Sequence, residues 1–134
     1  MGNLPFALLE QLTARRGRAF AFSQLPASKT ALPVINLTTM FFGETPEETA
    51  MASRINQLAD RLRMGGGVVM WIRPAPFAKP ELMQELLGPK LAAMHTEAHL
   101  PDDPRNQLAS SLSVRPDDLQ ARKVLFSAFL PRFQ

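Results

Sequence analysis

The chain has 134 residues, 46% of them apolar and 20% charged, and it contains no cysteine. That length and balance suit one globular domain with a buried core. No apolar run approaches the roughly 18 residues of a membrane span, and the first residues lack the pattern of a signal peptide. The missing thiols exclude disulfide and cysteine chemistry within these residues and fit a cytoplasmic location. The net charge is +3, and its excess lies in the first 43 residues, where Arg15, Arg16, Arg18 and Lys29 stand against Glu10 alone. Such a cluster fits either the solvated end of a helix or contact with an acidic partner or phosphate backbone.

Asn3 and Pro5 open a first predicted helix, whose apolar side carries Phe6, Leu8, Leu9 and Leu12 and which Gly17 ends. Ala19 to Phe22 is a short strand pattern. The stretch Ser23 to Thr30 follows it with the spacing of a phosphate loop. Serines replace both glycines that such a loop needs to wrap phosphates, and Pro33 cuts off the helix that should follow. Residues 34–42 alternate as a second strand, which Gly43 stops.

Residues 44–73 dominate the chain. Thr45 is an N-cap, Glu48 completes a capping box and Pro46 fits the first helical position. Met51, Ile55, Leu58 and Leu62 then form one helical stripe, predicted to pack with Val69 and Trp71. Gly65 supplies the left-handed stop. The triple glycine 65–67 comes after a helix and before a strand, the reverse of a phosphate-binding order, so it is a tight turn. Val68 to Ile72 is apolar on both faces, as in a strand covered on both sides. Strand, helix and strand make a βαβ unit, which requires parallel pairing of its two strands.

Beyond Pro74-Ala75-Pro76, the stripe Leu82, Met83, Leu86 and Leu87 predicts a helix that Gly88-Pro89 interrupts and that resumes to about His99. His95 and His99 are four residues apart, which puts both imidazoles on one helical face with Asp102 or Asp103 as a conceivable third metal ligand. The pattern is not HExxH, and solvated histidines at a helix end explain it as well; no metal or cofactor is expected. Residues 106–112 and 117–129 read as helices, although Val124 to Leu130 also alternates like a strand. Residues 107–125 resemble a helix-turn-helix, with Ala109 at the close-packed position and Gln120, Arg122 and Lys123 toward the groove. Ser113 in place of the turn glycine and Asp117-Asp118 at the leading end of the reading helix argue against it.

The whole pattern predicts a compact single α/β domain over residues 1–134. It has a small mixed sheet containing the βαβ unit, helices packed on that sheet and a helical C-terminal region. No catalytic motif passes its spacing test. The expected function is therefore a non-catalytic accessory or adaptor protein that binds another macromolecule, in the first place a protein. Arg73, Phe77 and Glu44 are the expected partner-binding residues, because all three fall at the carboxyl ends of neighbouring parallel strands, where α/β proteins form crevices. The alternative is a nucleic-acid-binding protein using Arg15, Arg16, Arg18, Arg122 and Lys123. A degenerate nucleotide-binding fold using Lys29 and Thr30 comes third.

Overall fold

The computed structural model describes residues 6–18, 20, 24–43, 45–77, 79–124 and 127. Its elements run α1 (Phe6–Arg16), a 3-10 turn (Ala27–Lys29), β1 (Ala31–Ile35), α2 (Pro46–Met64), β2 (Val68–Pro74), α3 (Pro80–Leu87), α4 (Pro89–Ala98), a second 3-10 turn (Pro104–Asn106) and β3 (Leu119–Lys123).

The start of α2 follows from its capping box. The Thr45 hydroxyl accepts from the Glu48 amide at 3.2 Å, and the Glu48 carboxylate accepts from the Thr45 amide at 3.1 Å and the Gly43 amide at 3.0 Å. These bonds satisfy donors that a bare helix end would leave unmet. The bonds from the Gly43 amide and from Thr45 hold the Glu48 carboxyl below the usual carboxylate range. The helix ends in the glycine turn. Gly66, at φ +76°, adopts the left-handed conformation, whereas Gly65 has φ −89°, so the stop lies one residue later than expected. Gly67 is required for a second reason: a Cβ there would sit 2.5 Å from the Ala27 carbonyl oxygen and from Leu62 Cγ.

The sheet order is β1-β2-β3, and both pairings are parallel. The βαβ unit is present, but the sheet is parallel throughout rather than mixed. The first strand also lies earlier than expected, at 31–35. Asn36 interrupts it with φ +63°, and residues 37–42 turn away to bond the 104–109 segment instead. The amides of Thr39 and Met40 donate to the carbonyls of Gln107 and Arg105, and the Ala109 amide donates to Leu37. Pro33 sits inside β1 because β1 is an edge strand, where a missing donor is tolerated. Ala19, Ala21 and Phe22 lie outside the described residues, so the strand expected at 19–22 does too.

The core lies between α2 and one face of the sheet. It joins Val34, Val69 and Trp71 to Ala52, Ala59 and Leu62, with Phe42, Ala109 and Leu112 closing one side and Ile55 partly buried against them. Leu58, expected in this group, is 52% exposed. The buried stripe is Ala52, Ile55, Ala59 and Leu62, one residue round the helix from the expected one. The small alanines leave room for the large indole of Trp71, which is fully buried.

Over the described residues 107–124 the C-terminal region is not helical, and most of the 124–130 segment, read as helix or strand, lies outside the described residues. Residues 107–118 are loop and turn, and residues 119–123 form β3. The bonds that a helix would have made are supplied from α2: Asn56 Nδ2 donates to the Ser111 carbonyl at 2.9 Å, and Asn56 Oδ1 accepts from the Ser113 amide at 2.8 Å. The Asp117-Asp118 pair, read as a helix start, instead closes a turn in which Asp118 accepts from the Arg115 amide at 2.8 Å. Among the described residues, no helix is long and apolar enough to cross a membrane.

Candidate functional site

Parallel strands bring their carboxyl ends to one edge, and here that edge is concave. The last residues of the three strands and their successors line a cleft of about 180 Å³: Asn36 after β1, Pro74 and Ala75 at β2, Lys123 and Val124 at β3. Phe41, Phe77 and Met83 make its apolar walls, and α4 contributes His95 and His99.

Two residues of the lining, Pro74 and His99, are tied together by one buried side chain behind them. Asn106 is fully buried, and its Nδ2 lies 3.1, 2.8 and 3.0 Å from the carbonyl oxygens of Pro74, His99 and Leu100. Arg122 donates from Nη2 to the Pro74 and His99 carbonyls as well. The end of α4 is thereby fastened to the end of β2, and this bond set fixes where His99 sits. Sequence spacing alone puts His95 one turn away on the same side.

The two imidazoles meet edge to face, with centroids 3.9 Å apart and planes at 87°. Phe41 lies 6.2 Å from His99, centroid to centroid. His99 is 3% exposed, and neither of its ring nitrogens has a hydrogen-bond partner among the described residues; His95 Nδ1 and Asn36 Oδ1 are buried in the same state. Burial pushes the His99 imidazole down to about 4, helped by His95, Lys123, Arg122 and Arg105. Burial, then Lys123, also lowers His95, and burial lowers the Lys123 ammonium. Both histidines are therefore neutral bases at pH 7.

The expected site residues divide between this cleft and other places. Phe77 is on the cleft wall. Arg73 donates at 3.2 Å to the Asn106 carbonyl and to Gln107 Oε1, so it binds the 104–107 turn. Glu44 lies outside the described residues. Arg15 and Arg16 are in the exposed last turn of α1, and Arg18 is exposed beyond it. Arg122 and Lys123 lie on a strand at the cleft, not on a reading helix, which overturns the helix-turn-helix reading. Lys29 belongs to a single 3-10 turn that runs into β1, and the Thr30 hydroxyl donates to the Pro26 carbonyl at 2.8 Å. No helix opens there, so the nucleotide-loop reading fails as well. Asp103 accepts from Arg105 at 2.9 and 2.7 Å and is unavailable to the histidines. Among the described residues, no group of three or more histidine, aspartate and glutamate side chains could hold a metal.

Sequence reasoning missed Asn36 and did not connect Lys123 with the histidines. The signal for both was their place just past, or at the end of, an apolar strand, which became readable only with the correct strand bounds.

A comparison with protein-family models gives no match, and neither does one with curated proteins. Among solved structures, the chain is similar to a cysteine hydrolase from Pseudomonas syringae pv. phaseolicola 1448A, at 20% identity and a TM-score of 0.59. The likeness is one of fold: an α/β domain built on a parallel sheet. It covers 79% of this chain and 52% of the other, so the chain spans about half the length of that protein. The expectation of a non-catalytic adaptor is corrected here, because the architecture is one that an enzyme uses.

Proposed function

We propose that this chain is an α/β enzyme domain of the hydrolytic kind, with its reaction centre in the cleft at the carboxyl ends of β1, β2 and β3. The observation that carries this reading is the His95–His99 pair, His99 buried and His95 half-buried, lining one cleft with Lys123 at the edge where parallel α/β sheets bind their ligands. The likeness in fold to a hydrolase supports it. The nucleophile in this reading is water.

In this mechanism His95, the more accessible imidazole, takes a proton from water as the water oxygen bonds to an acyl carbon. The carbonyl oxygen gains the negative charge, and Lys123 supplies the positive charge that stabilises it. His95 then returns the proton to the leaving group as its bond to carbon breaks. His99 packs edge to face with His95 and holds its ring in place. Phe41, Phe77 and Met83 exclude bulk water and seat the apolar part of the substrate. A cytoplasmic location belongs to the same proposal and is supported by a chain free of cysteine.

The test is turnover of small nitrophenyl esters and nitroanilides by the purified chain. His95→Gln should lower kcat by roughly 10²–10⁴ with the circular dichroism spectrum unchanged. Absence of turnover with every substrate, or an unchanged rate in folded His95→Gln, would overturn the reading.

A further inference from the structure

We infer that the cleft is a receptor for a small organic anion, a carboxylate carried on an aromatic or branched apolar body. The inference rests on the proposed reading for the place of the reaction, since it names the ligand class of that same site.

Three observations point to it. First, the walls made by Phe41, Phe77, Met83 and Val124 match an apolar body, and the volume of about 180 Å³ limits it to a small one. Second, the polar atoms left without partners among the described residues are complementary only in part. In the cleft lining they are the two ring nitrogens of His99, Nδ1 of His95 and Oδ1 of Asn36, all buried. A neutral imidazole carries one donor, whereas a protonated one carries two. With an anion present, a protonated His99 can give one N–H to the carboxylate and has a buried acceptor, Asn36 Oδ1, lining the same space. Third, among the described residues the standing charges that act on His99 are positive and come from two elements. Lys123 and Arg122 come from β3 and Arg105 from the second 3-10 turn, while His95, on α4 itself, is neutral; of the carboxylates near Arg105, Asp103 is engaged by it and Glu97 adds a weaker attraction. This field opposes a metal cation and favours an anion.

The sign of the linkage follows. Burial and the positive neighbours Lys123, Arg122 and Arg105 favour the neutral form of His99. A carboxylate in the cleft favours imidazolium and raises the histidine pKa in the complex. Binding then takes up a proton, and affinity rises as pH falls between the bound and free values.

The experiment is titration calorimetry with benzoate and with its neutral isostere benzamide, at about pH 7.5 and about pH 5.5, in buffers of different ionisation enthalpy. Benzoate should bind at least about tenfold tighter than benzamide at the lower pH. It should also tighten as pH falls and show buffer-dependent heats that report proton uptake. Folded His99→Gln should lose the uptake, and Lys123→Gln should weaken benzoate without weakening benzamide. Equal binding of the two ligands, binding of benzamide alone, benzoate affinity independent of pH, or no binding of either would overturn the inference. None of these readouts needs turnover. Benzoate binding with proton uptake in a chain that hydrolyses nothing would sink the hydrolytic reading and leave the anion site standing.

Discussion

The indole Nε1 of Trp71 donates to the Asp118 carboxylate at 2.7 Å, so the central strand is pinned to the turn that starts β3. Asp118 also takes two bonds from the Arg63 guanidinium at the end of α2. Helix, central strand and edge strand thus converge on one carboxylate. Arg63 itself reaches Asp60 at 2.8 Å and the Ser113 carbonyl at 2.9 Å, and the Asp118 pairing holds its guanidinium charged.

Burial alone would push the Asp118 carboxyl up, but the bonds from Arg63, Trp71 and the Arg115 amide outweigh it and hold it at about 2. The folded value lies below the ordinary 3.8. Its stabilisation is therefore complete above about pH 4 and is lost as pH falls toward about 2, a loss on the order of 2 kcal/mol. Asp118→Asn should cost roughly 3–5 kcal/mol at neutral pH, because it leaves a largely buried guanidinium short of its partner. Urea unfolding at a series of pH values checks both: the gap between the two proteins should narrow on acidification. A constant gap would show that Asp118 titrates normally.

The alanine stripe of α2 makes a prediction that runs against side-chain size. Leu58→Ala should change stability by less than about 0.5 kcal/mol, because Leu58 is half exposed. Ala59→Leu should cost about 1–3 kcal/mol, because Ala59 is fully buried and the added atoms have nowhere to go. Denaturant midpoints of the two variants are the measurement, and the reverse order would mean that the other stripe faces the sheet.

Thr45→Ala should destabilise the domain by about 0.5–2 kcal/mol, since it removes the acceptor for the Glu48 amide. Glu48→Ala should cost a comparable amount by freeing the Gly43 and Thr45 amides. Because the two residues form one reciprocal unit, the double variant should lose less than the sum of the singles. Strict additivity in thermal melts would show that the box is not formed in solution.

Asn106 faces three carbonyl oxygens with its amide nitrogen, so truncation to alanine and replacement by the near-isosteric aspartate should differ sharply. Asn106→Ala should cost roughly 1–3 kcal/mol from carbonyls left unsatisfied. Asn106→Asp should cost more at neutral pH, because a buried carboxylate would face the same oxygens, and it should recover stability on acidification as the introduced carboxyl gains a proton to donate. A variant as stable as the parent at neutral pH would overturn the assigned amide orientation.

The local rules written into the sequence were sufficient wherever one segment satisfies its own backbone. The cap at Thr45, the glycine turn at 65–67 and the β2 apolar run need only neighbours a few residues away, and they make α2 and β2, two of the three parts of the βαβ unit, legible. Helices Pro80–Leu87 and Pro89–Ala98 follow from the same logic, as does the shared face of His95 and His99. Tertiary structure decided the rest. Residues 107–123 carry a helical apolar pattern, yet Asn56 and Arg63 reach across from α2 to satisfy that backbone and its Asp118 turn, and edge pairing with β2 draws 119–123 into the sheet. Asn36 ends β1 early because the chain beyond it finds its hydrogen bonds on residues 104–109. Ala52 and Ala59, not Met51 and Leu58, share the buried cluster with Trp71, a facing that the apolar spacing alone does not fix. The cleft is the clearest case: Asn36, His95, His99 and Lys123 are spread over 88 positions, and only parallel pairing with a fastened α4 brings their polar atoms to one edge.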